Sequence, residues 1–370
     1  MQNRAGQYVS DDSVFKELIR SFDDVLSVEW PVARALRHCT EGKPFDAELW
    51  ALIAKLGWPG LPVDEQYGGI GGGMGELSAL YRELGKRLAP VPVLPTFLAA
   101  ELVAKAGNPQ QRQAWLAPIA EGHLRASVSS PMNAPCVSAV LAGDQIILRG
   151  ADHSILDLAA VQVVFVAVAL QGKGGWVAVD IGTEGMQVSS VRTTDATRSL
   201  GMVELNDVRV PLDRLFLEVG DGEIGRQLMQ HAAIALASDS VAGGEAILAA
   251  TIDYLKVREQ FGRPIGSFQA LKHRVADHKT ALAGAAALLD EVVRLAGSSQ
   301  LDLLDVLSAK YLACNVYAEV ARDCIQLFGG IGYTWEHFPH LYLKRAKLNQ
   351  SLFGTELVLL DKMSELLTAS

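Results

Sequence analysis

Cysteine is scarce and badly arranged for a disulfide framework: the four residues, Cys39, Cys136, Cys314 and Cys324, form no CxxC pair. No accompanying His spacing suggests a zinc site, so each is read as a small buried apolar residue. Basic charge is also in short supply. Lys and Arg total 33 against 42 Asp and Glu, a formal net charge of -9, which argues against a protein that holds nucleic acid through a basic surface. No membrane-length apolar run is present. The longest, residues 158–170, is interrupted by Gln162 and rich in valine, which suits buried strands better than a spanning helix of about 20 residues. The opening MQNRAGQYVSDDSVF lacks the apolar centre of a signal peptide, so a cytoplasmic protein with no membrane partner is expected.

What is there can fold. With 49% apolar and 20% charged residues over 370 positions, the chain can bury a sizeable core in two or three units. Residues 11–122 read as helical, beginning with Val14, Phe15, Leu18, Ile19, Phe22, Val25 and Leu26 at three- and four-residue spacing and with Ser13 as a candidate cap. Within them GWPGLPVDEQYGGIGGG breaks the period, and Pro59, Pro62 and the glycines from Gly68 to Gly73 predict an extended loop. Neither GxxxxGKS nor a strand-borne GxGxxG is present, so Gly71, Gly72 and Gly73 are read as a turn rather than a phosphate cradle. From about residue 125 to 215 the pattern switches to short β-branched runs such as QIILRG, AVQVVFVAVAL and GGWVAVDI, an all-β region. Helical spacing then returns in long Ala- and Leu-rich segments that predict a bundle. The expected class is α+β: an N-terminal helical domain over 1–124, a middle β domain over 125–218, and a C-terminal helical bundle over 219–370.

Three blocks carry a family resemblance: REQFGRPIGSFQALKHRVAD at 258–277, QLFGGIGYTWEHFPHLYLKRAK at 326–347, and FGTELVLL from Phe353. Weaker likenesses lie in GLPVDEQYGGIG and DATRSLGMVELNDVRVP. Together the blocks resemble the acyl-CoA dehydrogenases. That resemblance implies a helical domain, a β-barrel domain and a four-helix bundle, with FAD lying across a subunit interface and an acyl-CoA as substrate. It further implies that Arg258, Phe261, Gln326 and Gly330, with Phe268 and Gln269 in the same wall, reach the FAD of a neighbouring subunit. Thr355 and the β domain, where Ser129 and Pro131 remain recognisable, would hold the flavin of their own subunit. The chemistry of the residues is compatible. Arg258 offers a fork of donors suited to a pyrophosphate, Phe261 and Phe268 offer flat apolar surface, and Gly329, Gly330 and Gly332 let backbone approach a ligand. Taken singly, each reads as a helix-end cation, a core ring or a bend; their joint spacing favours the functional reading.

The departures are as informative. The family's reaction needs a carboxylate base beside the acyl chain. Where that Glu precedes Gly-Thr in many relatives, this chain has Phe353; where others carry it on the first long C-terminal helix, it has Ala232, beside Ala233. Asp239, Glu245 and Glu356 are weak substitutes, more plainly read as capping or solvated groups. The flavin-facing Trp-Ile-Thr is matched by Ser154, Ile155 and Leu156, and a Gln expected after Thr355 is Leu357. Residues lent to a neighbour look intact while those for the chain's own flavin look eroded. The resemblance therefore implies the base-less half of a heteromer acting on bulky acyl-CoAs, including steroid side-chain derivatives, with a homologous subunit as partner and an electron-transfer flavoprotein as a further one. A homotetramer with a displaced base, and an FAD-free scaffold, are the competing expectations. His337 and His340 are three apart and His278 is distant, with no further ligands, so no metal is expected and the first two are read as partly exposed.

Overall fold

The computed structural model describes residues 12–132, 135–218 and 222–369. Among them the N-terminal region folds as α1 (Asp12–Glu29), α2 (Val32–Glu41), α3 (Ala47–Lys55), α4 (Met74–Lys86), α5 (Val93–Ala106) and α6 (Pro109–Ala120). Helix α1 starts at Asp12, so Ser13 lies inside its first turn rather than ahead of it. The Gly-rich connection is not extended. It turns through two short 3-10 segments and bonds back on itself, with Ile70 N–H donating to Gly60 O at 2.8 Å and Gly71 N–H to Val63 O at 2.7 Å. Glycine is required at 69, where a Cβ would sit 2.0 Å from Val63 O. The connection ends where Glu76 accepts from the Gly73 amide at 3.0 Å and opens α4.

The middle region carries β1 (Ala126–Val128), β2 (Val137–Ala142), β3 (Gln145–Leu156), β4 (Val163–Leu170), β5 (Lys173–Asp180), β6 (Met186–Val191), β7 (Leu200–Pro211) and β8 (Leu215–Leu217). They form one sheet in the order β6-β7-β3-β2-β4-β5-β8, with β1 parallel to β4. The expected closed barrel is corrected to an open sheet: among the described residues nothing pairs β6 with β8. Both edges explain this, since β8 has only three residues and the chain leaves it for a long helix, while β6 is exposed along nearly all its length. Period-2 alternation sets the two faces. In β4, Val164, Val166 and Val168 point into the sheet's own core, whereas Val163 and Phe165 join the core shared with the helices. Trp115 of α6 meets Phe165 and Phe216 edge-on at 5.3 and 6.1 Å, docking the helical region on that second face.

The C-terminal region holds α7 (Glu223–Val257), the two-strand hairpin β9 (Glu259–Gln260) and β10 (Arg263–Pro264), α8 (Gln269–Leu295), α9 (Leu303–Phe328), α10 (Pro339–Ser351) and α11 (Glu356–Ala369). Helices α7 to α10 make the four-helix bundle, and α11 lies on α9. Helix α7 is long and apolar enough to cross a membrane, yet 83% of its most apolar window is buried, so it is the axis of the core. Close crossings are built with glycine. A Cβ on Gly243 would lie 2.6 Å from the Tyr317 ring of α9, and one on Gly85 of α4 would lie 2.6 Å from the Asp239 Cα of α7. The cysteine expectation holds for Cys314 and Cys324, which are buried, and not for Cys136, which is exposed, while Cys39 is intermediate.

Candidate flavin and substrate site

The turn between α10 and α11 faces the β domain across a cleft of about 250 Å³, walled by Phe353, Gly354 and Thr355 on one side and Ser130, Ser154 and Leu156 on the other. A second cavity of about 410 Å³ shares Ser130, Met132 and Ser154 with it and adds Ser129, Asp152 and His153. Backbone geometry fixes the turn: Phe353 has φ +49° and Gly354 φ +104°, and the Lys310 ammonium donates to Gly354 O at 2.7 Å. Lys310 is itself fully buried, and burial lowers its pKa. Ser129 Oγ accepts from the Ala167 amide at 2.8 Å, which leaves its own proton free for a ligand.

This cleft has no acid-base group where the family places one. The Phe353 ring is 8% exposed and belongs to the main core, and Ala232 and Ala233 are buried in α7 at 0% and 1%. Asp239 is not solvated, contrary to the expectation. It is a buried ion-pair partner: Arg345 Nη1 lies 2.8 Å and Arg198 Nη2 3.1 Å from Oδ2, and Asn349 Nδ2 donates to Oδ1 at 2.7 Å. Arg345 also holds Asp195 at 2.7 Å. Burial alone would depress the guanidinium's pKa, but the two aspartates outweigh it and raise it. Glu245 reaches Lys279 at 3.5 Å on the bundle surface, and the exposed Glu356 accepts from Tyr311 Oη at 3.2 Å. None of these three carboxylates lines the cleft.

The residues expected to serve a neighbour gather at the opposite kind of surface, an exposed one. Arg258 caps α7, and the hairpin that follows places Phe261 (φ +55°) and Gly262 (φ +75°) at its tip. Phe261 is 91% exposed, edge-on to Phe268 at 6.1 Å, and the Arg263 guanidinium lies 4.1 Å from the Phe268 ring centre. Gln269 opens α8 and is exposed. Tyr254, one turn before Arg258, stacks on Phe328 at 4.5 Å and donates to its carbonyl at 3.3 Å, which fixes the end of α9 beside the end of α7. Gln326, Gly329 and Gly330 are exposed at that same end. Thus Arg258, Phe261, Phe268, Gln269, Gln326, Gly329 and Gly330 share one end of the bundle, whereas Ser129 and Thr355 belong to the cleft system. A forked cation, two flat rings and exposed glycine backbone fit a flavin dinucleotide presented from outside; the cleft itself has Thr355 beside Leu156 and Phe353, with Ser129 in the adjoining cavity.

Sequence reasoning missed Asp152 and His153, which adjoin Ser154, and the buried His231. The neighbours of a matched position were the available signal. His340 is corrected from partly exposed to buried: Trp335 packs on it edge-on at 4.7 Å, and burial together with Lys344 lowers its pKa to about 4. His337 is half-buried, and His278 pairs with Asp323 at 2.7 Å. Among the described residues no group of His, Cys, Asp and Glu is arranged to hold a metal.

Comparison with known proteins gives the same family at both ends of the chain. A family described as "Acyl-CoA dehydrogenase, N-terminal domain" matches residues 15–123, and "Acyl-CoA dehydrogenase, C-terminal domain" matches 222–367. Acyl-CoA dehydrogenase FadE34 of Mycobacterium tuberculosis is 31% identical over 91% of this chain, which spans only 45% of that relative's length. Acyl-CoA dehydrogenase IpdE2 of the same organism is 30% identical, covering 82% of this chain and 81% of its own. Among solved structures, the ChsE4-ChsE5 complex from Mycobacterium tuberculosis superposes with a TM-score of 0.89 at 25% identity, covering 100% of this chain and 99% of that one.

Proposed function

The chain belongs to the acyl-CoA dehydrogenase family of oxidoreductases, and from that premise we propose that it is the non-catalytic subunit of a heteromeric enzyme, completing the FAD site of a homologous subunit that carries the base. One observation supports this above the others: a core-buried phenyl ring, Phe353, stands where a proton acceptor is needed, while Phe261 stands 91% exposed on a hairpin tip. Likeness to the two-component ChsE4-ChsE5 complex agrees with it.

In this reading FAD supplies hydride acceptance when bound, and the partner's carboxylate takes the α-proton. Arg258 and Gln326 of this chain would hold the dinucleotide through polar contacts, and Phe261 and Phe268 would cover it and exclude water. The burial of Asp239 among Arg345, Arg198 and Asn349, away from the cleft lining, disfavours the homotetramer with a displaced base. The substrate is an acyl-CoA thioester; a bulky, steroid-type acyl group follows from the resemblance, and an electron-transfer flavoprotein is the proposed acceptor.

Co-expression with a Glu-bearing homologue tests the proposal. The two chains should co-purify at equal stoichiometry with less than one flavin per chain, and Arg258→Ala should lower flavin retention by the complex. A colour-saturated homotetramer of this chain alone would contradict it.

A further inference from the structure

A cavity of about 500 Å³ lies between α4, α5, the first turns of α7 and the α8–α9 connection, and shares no lining residue with the flavin-side cleft. Its size is that of small-molecule sites, typically about 300–1,000 Å³. A polar chain ends on its wall. Glu101 Oε2 accepts from His231 Nδ1 at 2.6 Å, and His231 Nε2 shares a hydrogen bond with the Tyr81 hydroxyl at 2.7 Å. Both rings are buried, His231 at 2% and Tyr81 at 3%. Glu101 and His231 both line the cavity, and Glu101 is the more open of the two, with 20% of its side chain exposed against 2%. Burial pushes its pKa up, but the His231 bond and the nearby Lys105 outweigh that and hold it below the ordinary range, so it is a carboxylate at neutral pH.

The remaining wall decides the class of ligand. Lys105 lies 3.5 Å from Glu101 Oε1, and Arg226 pairs with Glu223 at 3.2 Å, so each lining cation already has an anion and neither sign of charge is in excess. Met74, Ile234 and Leu301 supply apolar surface. Gln230 also lines the cavity, half-buried, and its amide has no hydrogen-bond partner among the described residues. A carboxylate has about four acceptor positions, so Glu101 retains capacity for another donor. A hydroxyl, which both donates and accepts, can serve the Glu101 carboxylate and either end of the Gln230 amide without adding charge.

We propose that this cavity is a second ligand site, distinct from the flavin-side cleft, for an uncharged alcohol with an apolar body, its hydroxyl donating to Glu101 and its hydrocarbon packing on Met74, Ile234 and Leu301. Saturation-transfer NMR on the full-length chain tests it, with cyclohexanol and decahydro-2-naphthol as probes and decalin, cyclohexylammonium and cyclohexanecarboxylate as comparisons. The alcohols should bind saturably and at least about tenfold more tightly than the comparisons, as expected for one hydrogen bond to a charged group. Glu101→Ala should lose that preference, and Ile234→Phe, which fills the cavity and leaves the Glu101–His231 pair in place, should abolish binding. Circular dichroism establishes that each variant is folded. Equal binding of alcohol and hydrocarbon, no saturable binding, or an alcohol preference that survives in folded Glu101→Ala would overturn the proposal.

Discussion

Arg345 and Asp239 meet at 2.8 Å across α10 and α7 with side chains only 1% and 2% exposed. Arg345 also grips Asp195 and Thr197 in the segment before β7, so one guanidinium ties the sheet to the bundle. Buried pairs of this kind are costly to break, because the surviving charge is left in a low-dielectric interior. Replacing Arg345 with Met leaves Asp195 buried without its ion-pair partner and Asp239 with Arg198 as its remaining cation, and urea unfolding of Arg345→Met should show a loss of about 3–5 kcal/mol. A loss below about 1 kcal/mol would mean that the pair is not structural.

Phe353→Ala should cost about 3–5 kcal/mol by leaving a cavity in the main core. Phe353→Glu puts a carboxylate back at the family's position but also into an apolar site, so it should destabilise the chain as well and still give no flavin bleaching with acyl-CoA in the absence of a partner. Denaturant melts and anaerobic absorbance check the two halves of this expectation.

A pH dependence follows from Asp157. The residue is wholly buried, and burial raises its pKa from 3.8 to about 6, against the lowering effects of Arg198 and the Ser199 amide. Because the unfolded chain releases this proton first, the contribution of Asp157 to stability is largest below about pH 4, falls as the pH rises towards 6, and is level above that. A shift of about two units corresponds to roughly 3 kcal/mol at full extent. Asp157→Asn should remove this segment of the stability profile, and Asn tolerates the left-handed backbone at φ +52°. Chemical denaturation of both proteins from pH 3.5 to 7 measures the difference.

Phe261 is placed for something outside its own subunit. At 91% exposure and positive φ it adds little to the isolated fold, so Phe261→Asn should leave the melting temperature unchanged or slightly raised. The same change should weaken FAD retention by a complex with a base-bearing homologue, by about tenfold if the ring covers the cofactor. A drop in the isolated chain's melting temperature would show the ring to be a packing element.

The helix, sheet, helix order was legible because each region keeps one hydrophobic period, 3.6 or 2, over many residues. Closure of the sheet was not, since it depends on whether the distant β6 and β8 meet, and no local pattern records that. Missing acid at 353 and 232 could be read directly from the motifs, and both positions turned out to be core. The state of Asp239 could not: its arginine partners lie 41 and 106 residues away in sequence, and an acidic residue on a helix carries no local mark of burial. His231 was hidden for the same reason, with Glu101 130 and Tyr81 150 residues distant.

The division of labour between subunits is tested most directly by anaerobic titration of the flavin absorbance band with a bulky acyl-CoA, using this chain alone, the base-bearing homologue alone, and the two together. Full bleaching is expected only for the assembled pair, and it should be lost when the homologue's base is changed to Gln. Bleaching of flavin bound to this chain by itself would contradict that division of labour.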